Sequence, residues 1–177
     1  MTSPKNEASA EAGLIFADFA AGELKLERER RVMLDQRGIT VITSSSTLVT
    51  ILSGLAALTL VRPTTYRPTA IAVASFALAI LFLATASLYA LLANRSRFYS
   101  VVDESSILSL REDDAWGLSA GDARWLIIGL NVKTLTTVRA GNITKSRHVN
   151  RALLAQLVAI MFLAIAVLAE TLRLLLS

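Results

Sequence analysis

The sequence predicts an all-α integral membrane protein: three transmembrane helices with long cytosolic helical extensions that form a stalk or bundle. Three observations carry this reading. The 177-residue chain is 54% hydrophobic, with a mean hydropathy of +0.55, and its apolar residues are gathered in blocks rather than spread periodically as in a soluble domain. Residues 38–61, 69–94 and 152–169 contain no charged side chain, and each window reaches the roughly 17–25 residues that a spanning helix needs. Lysine and arginine are divided unevenly by these windows. Fifteen lie before the first or between the second and third, against three (Arg62, Arg67 and Arg173) on the other side. Cytosolic loops retain positive charge, which places the N-terminus and middle loop in the cytosol, the C-terminus outside, and the protein in the plasma (inner) membrane.

Residues 1–37 read as a cytosolic amphipathic helix. After a polar tail over residues 1–8, Ser9 is a suitable N-cap, and no later proline precedes Pro63. Ile15, Phe19, Leu26 and Met33 follow at steps of four, seven and seven, a heptad-like apolar stripe. Glu23, Lys25 and residues 27–31 cover much of the other face, with Glu27 and Arg31 a favourable i,i+4 pair. No long apolar run lies near Met1, so no cleavable signal peptide is expected and the first span serves as the targeting signal.

Residues 38–94 form a two-span hairpin, with spans at 38–61 and 69–94. Its turn, Arg62-Pro63-Thr64-Thr65-Tyr66-Arg67-Pro68, is bracketed by prolines that stop one helix and start the next. Arg62, Arg67 and Tyr66 sit where headgroup anchors belong. Residues 95–151 form a cytosolic helical region. Residues 98–115 continue as a helix with Tyr99, Val102, Ile107 and Leu110 on one side, ended by the polar turn of residues 112–117. Ser119-Ala120-Gly121-Asp122 reads as a capping box. The helix it opens meets no further proline and would measure roughly 75 Å from Ser119 to Ala169 at 1.5 Å per residue. Trp125, Ile128, Val132, Leu135 and Val138 mark its apolar stripe. That stripe pairs in parallel with the one at 15–33, or either associates with its own kind across subunits. Residues 152–177 hold the third span and the C-terminus, the span extending through Leu172 and residues 174–176 if Glu170 and Arg173 snorkel.

Composition narrows the chemistry. There is no cysteine and one histidine, His148, so disulfides, thiolate sites and multi-histidine metal centres within one chain are excluded. No ionisable residue lies inside a window, whereas proton relays and ion-coupled transporters need them at depth. Gln156 is the one amide within the third window. No cofactor, metal or enzymatic activity is expected. Glu112, Asp113, Asp114 and Asp122 lack the spacing of a hard-cation cage and suit a solvated turn and a helix N-terminus.

The first span is the unusual one. Thr40, Thr43, Ser44, Thr47, Thr50 and Gly54 share a face at steps of three and four. Small and hydroxyl residues let helices approach closely, and each hydroxyl can satisfy a carbonyl one turn back. The alternative use is a polar lining for a water path, which needs several copies of the chain. Arg95, Arg97, Arg139, Lys145, Arg147 and Arg151 form a juxtamembrane basic set, suited to anionic lipid or to a phosphate between helix bases. Asn142, on the face of Trp125–Val138, is either a buried residue that sets register or a cytosol-facing one. The patterns Asn94-Arg95-Ser96 and Asn142-Ile143-Thr144 match a glycosylation acceptor but fall on the cytosolic side.

Two stretches resemble bacterial membrane proteins of the Pycsar-effector type. One is Arg31-Val32-Met33-Leu34-Asp35-Gln36-Arg37-Gly38-Ile39-Thr40 with the Ser/Thr-rich span behind it. The other is Asn142-Ile143-Thr144-Lys145 ahead of the last apolar helix. Similar chains are described as actinobacterial integral membrane plasmid transfer proteins. The likeness is architectural and covers roughly residues 20–170. It implies an oligomeric inner-membrane effector of antiphage defence that perturbs membrane integrity, gated by a cytosolic signal such as a cyclic nucleotide. No nucleotide-binding motif is matched, so no binding residue follows from it. The expected partners are membrane lipids, further copies of the chain and that nucleotide signal, with no direct nucleic-acid contact. The alternative is a non-catalytic scaffold subunit of a plasmid-transfer or other envelope complex.

Overall fold

The computed structural model describes residues 4–61, 68–95, 108 and 117–176, with side chains over residues 4–10 and 55–61 excepted. The turn at 62–67, Arg97, and all of 98–116 except Leu108 lie outside the described residues. Those described are helical and contain no strand: α1 is Pro4–Val61, α2 is Ala70–Asn94 and α3 is Ala120–Leu176.

Local chemistry accounts for the helix ends. α1 begins at Pro4 rather than after Ser9. Proline suits a first helical turn, where its missing N–H has no intrahelical partner to lose. α1 ends at Val61, and proline at position 63 disfavours helical backbone in the residue before it. α2 is capped by Thr69, whose hydroxyl oxygen accepts from the Ala72 N–H at 3.2 Å. At α3 the Asp122 N–H donates to Ser119 Oγ at 3.2 Å, and the Ser119 hydroxyl donates to the Asp122 carboxylate at 2.6 Å.

α2 and α3 are long and apolar enough to cross a membrane. Residues 38–61 of α1 are helical and uncharged, and nine of them are serine or threonine.

The chain divides into two compact units, residues 1–33 with 96–143 and residues 34–95 with 144–177. In the first, α1 and α3 pack side by side and parallel. Gly13 approaches Arg124, and Glu27 meets Asn142. Ala20, Leu24 and Glu27 are buried from α1; Thr134, Val138 and Asn142 are buried from α3. The expected stripe on α1 is therefore displaced. Ile15, Phe19, Leu26 and Met33 are all exposed, Phe19 by 68%. The packed face runs instead through Gly13, Ala17, Ala20, Leu24 and Glu27, because small side chains let the helices approach more closely than phenylalanine would. On α3 the expected stripe is partly inward: Val138 is buried, Ile128 and Leu135 are half-buried, and Val132 and Trp125 are exposed, Trp125 by 78%.

The second unit is a three-helix assembly with a seam of small residues. α2 buries Ala72, Ser75, Ala79, Leu83, Ala86, Ala90 and Ala93. Val41, Ala86, Ala90, Ala152 and Ala155 form one cluster; Leu34, Ala93 and Val149 form another. Bulky residues such as Leu81, Leu91, Leu154, Met161 and Val167 face outward. Lipid tails are as apolar as leucine, so helices in a bilayer associate through close packing and hydrogen bonds rather than by hiding large hydrophobes. Phe82 and Phe162 stack with centroids 5.7 Å apart. Gly38 is a close-approach position, since a Cβ there would lie 3.0–3.3 Å from the Asn94 amide. Glu170 turns to the start of α2, accepting from Thr69 N–H at 2.7 Å and from its hydroxyl at 2.8 Å. A carboxylate is favourable there, next to the positive end of the helix dipole.

Candidate functional site

Polar residues sit in the packed seams of both units. In the first unit Glu27 is 6% exposed and Asn142 is 0% exposed. The Asn142 amide donates to the Glu27 backbone carbonyl at 2.7 Å and to its carboxylate at 2.8 Å. Arg139 donates to Glu27 at 3.0 Å and to Glu23 at 2.6 Å, and Arg30 comes within 3.7 Å of Glu27. Burial alone would push the Glu27 carboxyl up. The hydrogen bonds from Asn142 and Arg139, with the charges of Arg30 and Arg139, outweigh it and hold the group below its ordinary value. The bonds to Glu27 and Glu23 hold the Arg139 guanidinium above its own. Asn142 is thus the buried one of its two expected roles. Its NH2 faces one carbonyl and one carboxylate, an arrangement met at one register only.

In the second unit Lys145, 3% exposed, pairs with Asp35. Residues 31–40 and 142–145 therefore meet through Asp35 and Lys145. The Gln156 amide donates to Ser44 Oγ at 2.7 Å. The His148 ring stacks on Tyr89 with centroids 6.2 Å apart, and the Arg151 guanidinium lies 6.0 Å from the Tyr89 ring centre. Ser45 Oγ, Asn94 Oδ1 and His148 Nδ1 are buried without a hydrogen-bond partner, as is Asn142 Oδ1 in the first unit.

The hydroxyl stripe lies on the other side of α1. Thr40, Thr43, Thr47 and Thr50 are exposed, and each hydroxyl donates to the carbonyl four residues back at 2.9–3.0 Å. Ser44 is half-buried and donates to the Thr40 carbonyl at 2.8 Å. Gly54 is exposed, with open space where a Cβ would be. Ser44 meets Gln156 of α3, whereas Thr40, Thr43, Thr47, Thr50 and Gly54 are exposed among the described residues.

The basic residues separate by environment. Arg139 and Lys145 are engaged by carboxylates; Lys145 is buried, while the Arg139 side chain stays 47% exposed. Arg95, Arg147 and Arg151 are exposed. Asp122 sits in the first turn of α3 and accepts from the Ser119 cap, and Glu112, Asp113 and Asp114 lie outside the described residues.

Glu27 and Asp35 escaped the sequence reading because both sit in a charge-rich run that looks solvated. For Glu27 the signal was its register. Glu27 falls in a four-three progression with Ala20, Leu24, Leu34, Gly38, Val41 and Ser45, the packed face of α1.

No family model, curated protein or solved structure matches the chain.

Proposed function

We propose that this is a three-span inner-membrane protein, with residues 38–61 of α1 as its first span. It acts as a homo-oligomeric effector that perturbs the membrane in antiphage defence, without catalysis, on a cytosolic signal such as a cyclic nucleotide. The carrying observation is the hydroxyl face of Thr40, Thr43, Thr47 and Thr50. It is exposed in the single chain while the opposite face of α1 is packed. Exposed hydroxyls in a bilayer gain nothing from lipid, and rings of polar side chains are what line a water path. The N-terminus and the middle region are cytosolic, and Arg95, Arg147 and Arg151 contact anionic headgroups. Replacing Thr47 and Thr50 with leucine removes the polar face without touching a packed residue. The double variant is expected to insert and fold normally but to lose toxicity on expression. Undiminished toxicity at equal membrane abundance refutes the polar-lining role.

The second reading is a non-catalytic scaffold in a plasmid-transfer or other envelope assembly. The Glu23–Glu27–Arg139–Asn142 network favours it, because its buried bonds from Asn142 and Arg139 to Glu27 are made at one register. It predicts a stable complex with another protein and unchanged membrane permeability.

A further inference from the structure

One end of the second unit holds positive charge without matching carboxylates. Residues 34–61, 70–95 and 144–169 contain Arg37, Arg95, Lys145, Arg147 and Arg151 but a single acidic residue, Asp35. Lys145 takes that carboxylate. Arg95, Arg147 and Arg151 have no acidic partner among the described residues, whereas Arg139 of the first unit has two. Arg147 and Arg151 lie four residues apart on α3, which makes them neighbours on one helix face, and like charges so placed repel. Nothing on the helix offsets them, since α3 carries no carboxylate between Asp122 and Glu170.

Arg151 is nonetheless held in one place. Its guanidinium lies 6.0 Å from the centre of the Tyr89 ring, and the His148 ring stacks on the same tyrosine with centroids 6.2 Å apart. The packing of Ala93 with Val149, and of Ala90 with Ala152, sets Tyr89 of α2 level with residues 148–151 of α3. An arginine that served only to keep positive charge at a surface would extend into water and retain its rotamer freedom; one laid on an aromatic ring has its fork pre-positioned. The Tyr89 hydroxyl makes no hydrogen bond among the described residues. His148 Nδ1 is buried without a partner, which leaves Nε2 as the ring nitrogen able to reach a ligand. The cluster stands at the edge of two charge-free windows. Arg151 immediately precedes the window at 152–169, and Tyr89 is within about two helical turns of the end of the window at 69–94. That is headgroup depth, where tyrosine and arginine side chains anchor.

We infer that Tyr89, Arg147, His148 and Arg151 form a site for a phosphate ester at the membrane surface. A guanidinium fork matches two phosphate oxygens at once, and the second arginine one turn away supplies another fork. The tyrosine hydroxyl and the histidine Nε2 add polar contacts at the same level. An anion between Arg147 and Arg151 turns their repulsion into two attractions. An anionic phospholipid headgroup carries this chemistry, and so does a soluble nucleotide phosphate; the depth of Tyr89 favours the headgroup. The inference deepens the headgroup contact proposed above and rests on that reading for the bilayer around α2 and α3. It separates Arg151, which has an aromatic platform, from Arg95, which has none among the described residues.

The full chain in a neutral detergent would be titrated with dihexanoyl phosphatidylglycerol, and its apparent affinity read from the rise in thermal midpoint. Dihexanoyl phosphatidylcholine serves as the zwitterionic control; inorganic phosphate and cyclic AMP serve as soluble phosphates. Arg151→Gln is expected to weaken binding by at least roughly tenfold, the loss of one hydrogen bond to a charged group. Arg151→Lys keeps the charge, loses the fork and should show most of that effect. Arg95→Gln removes the same charge from the same surface and should cost less than about twofold, as for a screened surface charge. Arg95 and Arg151 are both exposed, so each variant should keep the ligand-free midpoint. A midpoint rise with phosphatidylglycerol alone identifies a headgroup site, and a rise with phosphate or cyclic AMP as well identifies a soluble phosphate; either upholds the site. Equal weakening by Arg95→Gln and Arg151→Gln, full binding in Arg151→Lys, or no rise with any phosphate overturns it. Arg151-dependent binding by a chain that leaves lipid vesicles sealed would keep the site and refute the permeability reading. Permeabilisation by a chain whose binding ignores Arg151 would do the reverse.

Discussion

Asn142→Leu is the perturbation that isolates the buried polar contact. It keeps the branched shape of the side chain, with greater bulk, while removing the donor to the Glu27 carboxylate at 2.8 Å and to its carbonyl at 2.7 Å. That carbonyl already accepts within the helix, so most of the loss falls on the carboxylate. A hydrogen bond to a charged group contributes about 1.5–3 kcal/mol. With Arg139 still bonded to Glu27, the lower part of that range applies, about 2 kcal/mol or roughly thirtyfold in a local opening equilibrium. Hydrogen exchange of backbone amides in residues 20–33 reads that opening directly, in detergent or nanodiscs, after correction for intrinsic rates. Exchange there should accelerate roughly thirtyfold, with α2 unchanged.

Two companions sharpen the test. Glu27→Leu combined with Asn142→Leu removes donor and acceptor together, and replacing both partners by apolar groups is close to neutral. The double variant should exchange more slowly than the single one. The Glu27 carboxyl is held below its ordinary value in the folded chain. The stability it adds is therefore complete above the unfolded value of about 4.3 and is lost as pH falls from there through the folded value. Acid should open residues 20–33, and Glu27→Gln should abolish that acid dependence. A single variant with wild-type exchange, or a double variant worse than the single, would refute the account of the network.

Two further outcomes follow from the second unit. Gly38→Val places a branched side chain where a Cβ already lies 3.0–3.3 Å from the Asn94 amide. It should lower the thermal midpoint through overpacking of about 1–3 kcal/mol, and Asn94→Ala should restore much of it; no recovery would mean the contact is not the cause. Asp35→Ala strands Lys145, which is 3% exposed; because Asp35 itself is 36% exposed, the cost should fall below the about 3–5 kcal/mol of a fully buried pair. Lys145→Met in the same background should recover part of that loss in a detergent unfolding titration.

The start of α1 was misplaced at Ser9 instead of Pro4, but the later helix boundaries were legible because punctuation residues set them. Pro63 stops α1 and Thr69 opens α2. The Ser119–Asp122 box opens α3, since capping and proline effects act within one turn. The faces were less legible. Reading bulk as burial put Phe19 and Leu26 inward, but a closely approached helix pair selects alanine and glycine. The register that passes through Ala20, Leu24 and Leu34 carries little bulk to see. The charged partners were hidden for a related reason. An isolated helix would leave Glu27, Asp35 and Lys145 in water, and only their alignment with residues of another helix makes burial affordable. The hydroxyl stripe was visible from spacing alone, because a face of four threonines in an uncharged helix stands out against leucine-rich neighbours.

The central claim is signal-dependent membrane perturbation, and membrane potential measures it most directly. A potential-sensitive dye would be followed in bacteria expressing the chain from a tight promoter, with and without a panel of added cyclic nucleotides. The account predicts depolarisation that depends on one of those signals and disappears in the Thr47→Leu, Thr50→Leu variant. An unchanged potential across the panel, with the protein confirmed in the membrane, would contradict it and favour the scaffold.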